Sequence, residues 1–132
     1  RLPDRQAASP FGTAHHTDGV TTFSVVRERP LPALALTLLL QALTEHCGPR
    51  LLRVKGLVAI EEMPDRPALV HGVQHVFAPP EFLPAWFGDD RSSRLVFITR
   101  GVPRYFPARL LDAIEHEVRQ EMAAAGRPEG CK

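Results

Sequence analysis

Prolines divide this chain. There are thirteen in 132 residues, and many stand at the borders of stretches with regular apolar pattern. A proline fixes φ and offers no N–H, so it opens helices, interrupts strands and stiffens turns. The stretches between prolines are therefore short elements joined by rigid turns, which is the layout of a globular fold. Apolar residues make up 44% of the chain. At this length a chain buries roughly two thirds of its unfolded surface, so a real core is within reach.

Read in order, Arg1 to Gly19 mixes Pro, Gly, Ser, His and Asp without periodicity, the composition of a linker. Val20 to Arg27, VTTFSVVR, is β-branched and alternating, with Thr21, Phe23 and Val25 on one face of a strand. Pro32 and the Gly48-Pro49 pair bracket a helix over Leu31 to Cys47, whose core stripe is Leu36, Leu39, Leu40, Leu43 and Cys47. Leu34 and Leu38 fall off that stripe and give the helix a surplus apolar flank.

Leu51 to Ile60 alternates again, with Leu52, Val54, Gly56, Val58 and Ile60 on one face and Arg53 and Lys55 on the other. Met63-Pro-Asp-Arg-Pro67 reads as a turn. Ala68 to Phe77 then reads as an antiparallel neighbour with Leu69, Val73 and Phe77 on one face. Arg94 to Arg100 supplies a fourth strand. Pro107 opens a second helix striped by Leu110 or Leu111, Ile114, Val118 and Met122 and ending near Gly126. The order β-α-β-β-β-α predicts an α+β domain: a mainly antiparallel four-stranded sheet with two helices packed on one face. Its expected span is 20–126, after a linker over 1–19 and before a tail over 127–132.

Sixteen Lys and Arg face fifteen Asp and Glu, without long runs of one sign, so neither a phosphate backbone nor an acidic membrane is an expected partner. The longest apolar run, Ala33 to Leu40 broken by Thr37, falls well short of the ~20 residues of a membrane span. The two cysteines, Cys47 and Cys131, form neither a disulfide framework nor a Cys-x-x-Cys pair, which fits a reducing cytoplasm. The first residue is Arg1 rather than Met, so further sequence upstream is expected.

Two motifs carry a family resemblance. Leu51-Leu-Arg-Val-Lys-Gly56 resembles the strand signature of the CobW carboxy-terminal domain, and Trp86-Phe-Gly-Asp-Asp-Arg-Ser-Ser-Arg-Leu-Val-Phe-Ile98 resembles its second signature. His16-Thr-Asp-Gly-Val20 and the spacing of the strand bearing Gln74 agree with it, so the resemblance runs from about Thr17 to Ala124. Thr99 departs from it, since the family usually has Gly before Arg100, and this bears on the local turn.

The resemblance implies that an upstream P-loop GTPase domain carries GTP, magnesium and zinc or cobalt. This chain would then be a non-catalytic accessory domain of a metallochaperone related to cobalamin synthesis, itself without cofactor. Its partners would be that GTPase domain, a metalloprotein client or another protomer. The sequence holds no G-x-x-x-x-G-K-[ST], N-K-x-D or Cys-x-Cys-Cys motif, so no nucleotide or metal residue of the family carries over.

His15, His16 and Asp18 are the densest set of metal-ligand types and the candidate metal residues, beside the plainer account of a polar linker. His71 and His75 share a predicted strand face, but their backbones lie about 13 Å apart at strand rise, too far for one ion. Arg53 and Lys55, with Leu34 and Leu38, are the candidate partner-binding residues. Trp86 is assigned to core or lid packing. The adjacent pairs Glu61-Glu62 and Asp89-Asp90 point to opposite sides in extended chain and do not form an acid/base couple. Two further functions stand beside the accessory domain: a histidine-based metal store or relay, and a homo-oligomerisation module.

Overall fold

The computed structural model describes residues 19–126. Six strands and two helices follow in the order β1 (Val20–Arg27), α1 (Ala33–His46), β2 (Leu51–Ile60), β3 (Met63–Val73), β4 (Val76–Phe77), β5 (Glu81–Phe82), β6 (Ser93–Arg100) and α2 (Tyr105–Ala125), with a single 3-10 turn, Gly48–Arg50, after α1. The sheet is antiparallel, in the order β1-β6-β2-β3-β4, with β5 also on β3. The expected α+β class holds. The sheet has six strands rather than four, because two short strands, β4 and β5, flank the four long ones.

Both helices lie on one face of the sheet. Leu36, Leu39, Leu40 and Leu43 of α1 and Leu111 of α2 join Val54, Val58, Val70 and Phe97 of the sheet in a single apolar cluster. Phe23 stacks on Phe97 across the β1–β6 ladder, centroids 5.3 Å apart. The predicted stripe of α1 is buried in full, including Cys47 at its carboxy end. Burial raises the Cys47 thiol pKa, with Arg50 partly opposing the effect. In α2, Leu111 and Val118 are buried, but Met122, the last residue of the expected stripe, is 43% exposed.

Three local readings change. In β2 a register shift between Leu51 and Arg53 inserts Leu52 as an extra residue, so Leu51 and Val54 both face the core and Leu52 is only half-buried. In β3, beyond Pro67, the buried residues are Ala68, Val70 and Gly72, so Leu69 and Val73 face the other side. Phe77 is not on that strand. Gln74 takes φ 56 and the chain doubles back, so Phe77 pairs with Gly72, where a Cβ would collide with its ring. His71 and His75 are thus separated by a turn.

The third change concerns Pro64 and Pro67, which lie within β3 and not in a turn. The turn itself is Glu61-Glu62. The prolines are tolerated because that stretch uses their carbonyls and not the missing N–H. Pro67 accepts from Leu83 N at 2.9 Å, and Pro64 accepts from Trp86 Nε1 at 3.0 Å. At Thr99 the hydroxyl is buried against Thr21 and the Val102 carbonyl, and the chain turns two residues later at Gly101, φ 76.

Polar contacts lock the helix layer to the strand ends. Glu62 accepts from Ala33 N at 2.9 Å, capping α1 from outside because Pro32 has no side-chain donor or acceptor. Arg119 of α2 binds Glu61 at 2.6 Å, Glu115 at 2.8 Å and the Pro30 carbonyl at 3.1 Å. Arg27 joins β1 to α2 through Asp112 at 2.7 Å and the Ala108 carbonyl at 3.1 Å.

Candidate functional site

Alternation along the four long strands leaves one sheet face without a helix. Its residues form rows across the strands. In the first row Val26, Arg94, Leu57 and Leu69 are neighbours; in the second Ser24, Val96, Lys55 and His71; in the third Thr22, Ile98 and Arg53. None of these positions is acidic. Arg53 and Lys55 are exposed, and among the described residues neither side chain makes a hydrogen bond or ion pair, as their expected place away from the core allows.

Residues 83–92 fold over one end of this face. Arg66 holds the loop by donating to the Phe82 and Leu83 carbonyls at 3.0 and 2.8 Å, and Trp86 fastens it to Pro64. The half-buried Trp86 is therefore a lid-packing residue, as expected. That packing turns the next residue outward: Phe87 is 85% exposed. Asp90 accepts from Ser92 N at 2.9 Å. Hydrogen bonds from the Ser92 backbone and side chain hold the Asp90 carboxyl below its ordinary pKa, with Arg94 adding to the effect.

Between loop and sheet lies a groove of about 520 Å³, lined by Trp86, Phe87 and Asp89 on one side and Leu57, Arg94 and Val96 on the other. It adjoins a second hollow of about 400 Å³ bounded by Arg53, Lys55, Val96 and Ile98. Gly56 belongs to both. A Cβ there would collide with the Arg94 carbonyl, so glycine is required for β2 and β6 to approach. The two sequence signatures, some thirty residues apart, thus converge on one concave surface.

Leu34, at 51% exposure, and the half-buried Leu38 lie on α1, in the layer opposite Arg53 and Lys55, so the fold does not bring the two candidate pairs together. His15, His16 and Asp18 lie outside the described residues. Among the described residues no group of three or more His, Cys, Asp or Glu is placed to hold a metal ion. Glu61 and Glu62 are spent on Arg119 and on the start of α1. Sequence reasoning missed Phe87, Arg94 and Leu57. Phe87 was legible in principle as the second aromatic of Trp86-Phe87-Gly88, since a short loop rarely buries both.

A family model described as the cobalamin synthesis protein cobW C-terminal domain matches residues 20–116. No curated protein matches the sequence. Among solved structures, the zinc-bound YjiA GTPase from E. coli is similar with a TM-score of 0.65 at 20% identity, over 73% of this chain and 30% of that one. A zinc-bound triple mutant of YjiA GTPase gives 0.66 at 21% identity, over 74% and 30%. The likeness to these structures is one of fold, and the match spans less than a third of their length.

Proposed function

The chain belongs to the family of cobalamin synthesis protein CobW C-terminal domains, and from that premise we propose that it is the non-catalytic accessory domain of a cytoplasmic GTPase metallochaperone. In this reading residues 1–19 link it to the GTPase domain, and residues 20–126 dock through the helix-free sheet face. GTP, magnesium and zinc or cobalt belong to the parent protein.

The observation that carries the proposal is the convergence of both family signatures on the groove between the Trp86–Ser92 loop and strands β2 and β6. Folding alone does not explain why one loop shelters a row of half-buried apolar residues and turns Phe87 to solvent. Contiguous apolar surface with a polar rim is the usual form of a protein contact. Leu34 and Leu38 offer a second surface, supported by the exposure of Leu34.

The test compares Phe87→Ser with Val96→Asp on the open face, and Leu34→Glu with Leu38→Glu on α1, all in the full-length protein. Crosslinking between domains and nucleotide affinity are measured for each pair. Loss of crosslinks with the open-face pair alone supports the proposal. Loss with the α1 pair alone moves the docking surface to the helix layer, and no change in either pair refutes docking by this domain through these surfaces.

A further inference from the structure

Two sets of cations on this domain differ in what they meet. Around the helices, Arg27 and Arg119 are each bound to carboxylates. On the open face Arg53 and Lys55 stand two residues apart on the same side of β2, roughly 7 Å along the strand, with Arg94 one row further on β6. Like charges so placed repel, and nothing among the described residues neutralises Arg53 or Lys55. The whole chain is nearly neutral, +1, so this concentration is local and not a by-product of composition.

Apolar positions are interleaved with the cations. Val96 lies beside Lys55, Ile98 beside Arg53, and Leu57 beside Arg94. Each pocket on the face therefore offers an apolar wall next to a donor group. An occupant that complements it carries carboxylates interspersed with aliphatic or aromatic side chains.

Building on the docking reading above, we infer that the open face recognises an acidic, apolar-bearing segment of a partner protein. Carboxylates meet Arg53 and Lys55, and an apolar side chain enters the groove under Phe87. Nucleic acid is a poorer fit to the same cations. Asp89 and Asp90 line the groove and are absent from the hollow at Arg53 and Lys55. A peptide can therefore place its carboxylates at the hollow and an apolar side chain in the groove, whereas an unbroken phosphate backbone crossing both would be repelled at the aspartates. Across β2 and β6 the face offers Leu57, Val96 and Ile98 where base stacking calls for aromatic rings.

The probe is a phage-displayed library of random dodecapeptides, panned on the 132-residue chain, with selected peptides titrated by fluorescence of Trp86, the only tryptophan. Peptides enriched in Asp or Glu together with Val, Ile, Leu or Phe are expected. Their affinity should fall roughly tenfold or more in an Arg53→Glu, Lys55→Glu double variant, and panning on that variant should select basic residues instead. Peptides that are apolar without acidic bias, lost on Val96→Asp yet unmoved by charge reversal, overturn the acidic partner and leave the docking face standing. No enrichment, or peptides insensitive to all three substitutions, sinks both. Tighter binding of single-stranded poly(U) than of any selected peptide, abolished by the charge reversal, assigns the face to nucleic acid and overturns the inference. Thermal unfolding of each variant separates lost binding from lost fold.

Discussion

The two faces of the sheet are built from the same strands and obey different rules. On the helix side, Phe23 against Phe97, Val54, Val58 and Val70 meet Leu36, Leu39 and Leu43, and the neighbouring cations Arg27 and Arg119 are paired. On the other side half-buried Val96 and Ile98 lie beside Lys55 and Arg53, which make no hydrogen bond or ion pair among the described residues. One face is complete within the domain. The other has the residues of an interface without its second half, so what folding requires and what contact requires are separated to opposite sides of one layer.

The covered face should show the largest loss on substitution. Leu43 is fully buried, so Leu43→Ala should cost about 2–5 kcal/mol, the sum of lost transfer energy and a residual cavity. Urea unfolding measures it, and a loss under about 1 kcal/mol would mean that this face is not close-packed.

A smaller loss is expected at its margin. Arg119→Ala removes two ion pairs and a bond to the Pro30 carbonyl at a partly exposed site, worth about 1 kcal/mol in all. The loss should shrink in high salt if the ion pairs carry it. An unchanged cost in 1 M salt, a strength chosen to compress screening to about 3 Å, would assign it to the side chain's packing.

The smallest effect belongs to the open face. Arg53→Ala with Lys55→Ala should move stability by no more than about 0.5 kcal/mol in either direction. A clear loss would mean that these cations have a structural role within the domain, and the contrast between the faces would collapse.

Much of this layout was legible in the sequence. Phe23, Val25 and the Leu36 to Cys47 stripe obeyed strict periods, because each sits in an element with one covered side. Arg53 and Lys55 were assigned to the open face for the same reason. Errors gathered where a local event broke the period. The extra residue at Leu52 brings Leu51 rather than Leu52 onto the core face while leaving Val54, Arg53 and Lys55 where the alternation put them, and the reversal at Gln74 takes Phe77 off its strand to pair with Gly72. The groove was not legible, because it needs the Trp86 loop and the β2–β6 approach at Gly56 together, and that pairing is set by topology and not by any local pattern.

Strand order has a consequence for how the chain is made. β1 and β2 run the same way with β6 between them, so Phe23 meets its stacking partner 74 positions further on. The β2–β3 hairpin, with the short β4 and β5 on β3, can form from neighbours as the chain emerges from the ribosome; β1 must wait for β6. Contacts of such separation are slow to close. Until Ser93 to Arg100 has emerged, Phe23 and Val25 have no strand to pair with, and α1 has only half a sheet to cover. An interior strand, β6, is the last of the described strands to be translated, and a fragment ending before it lacks the strand that joins β1 to β2.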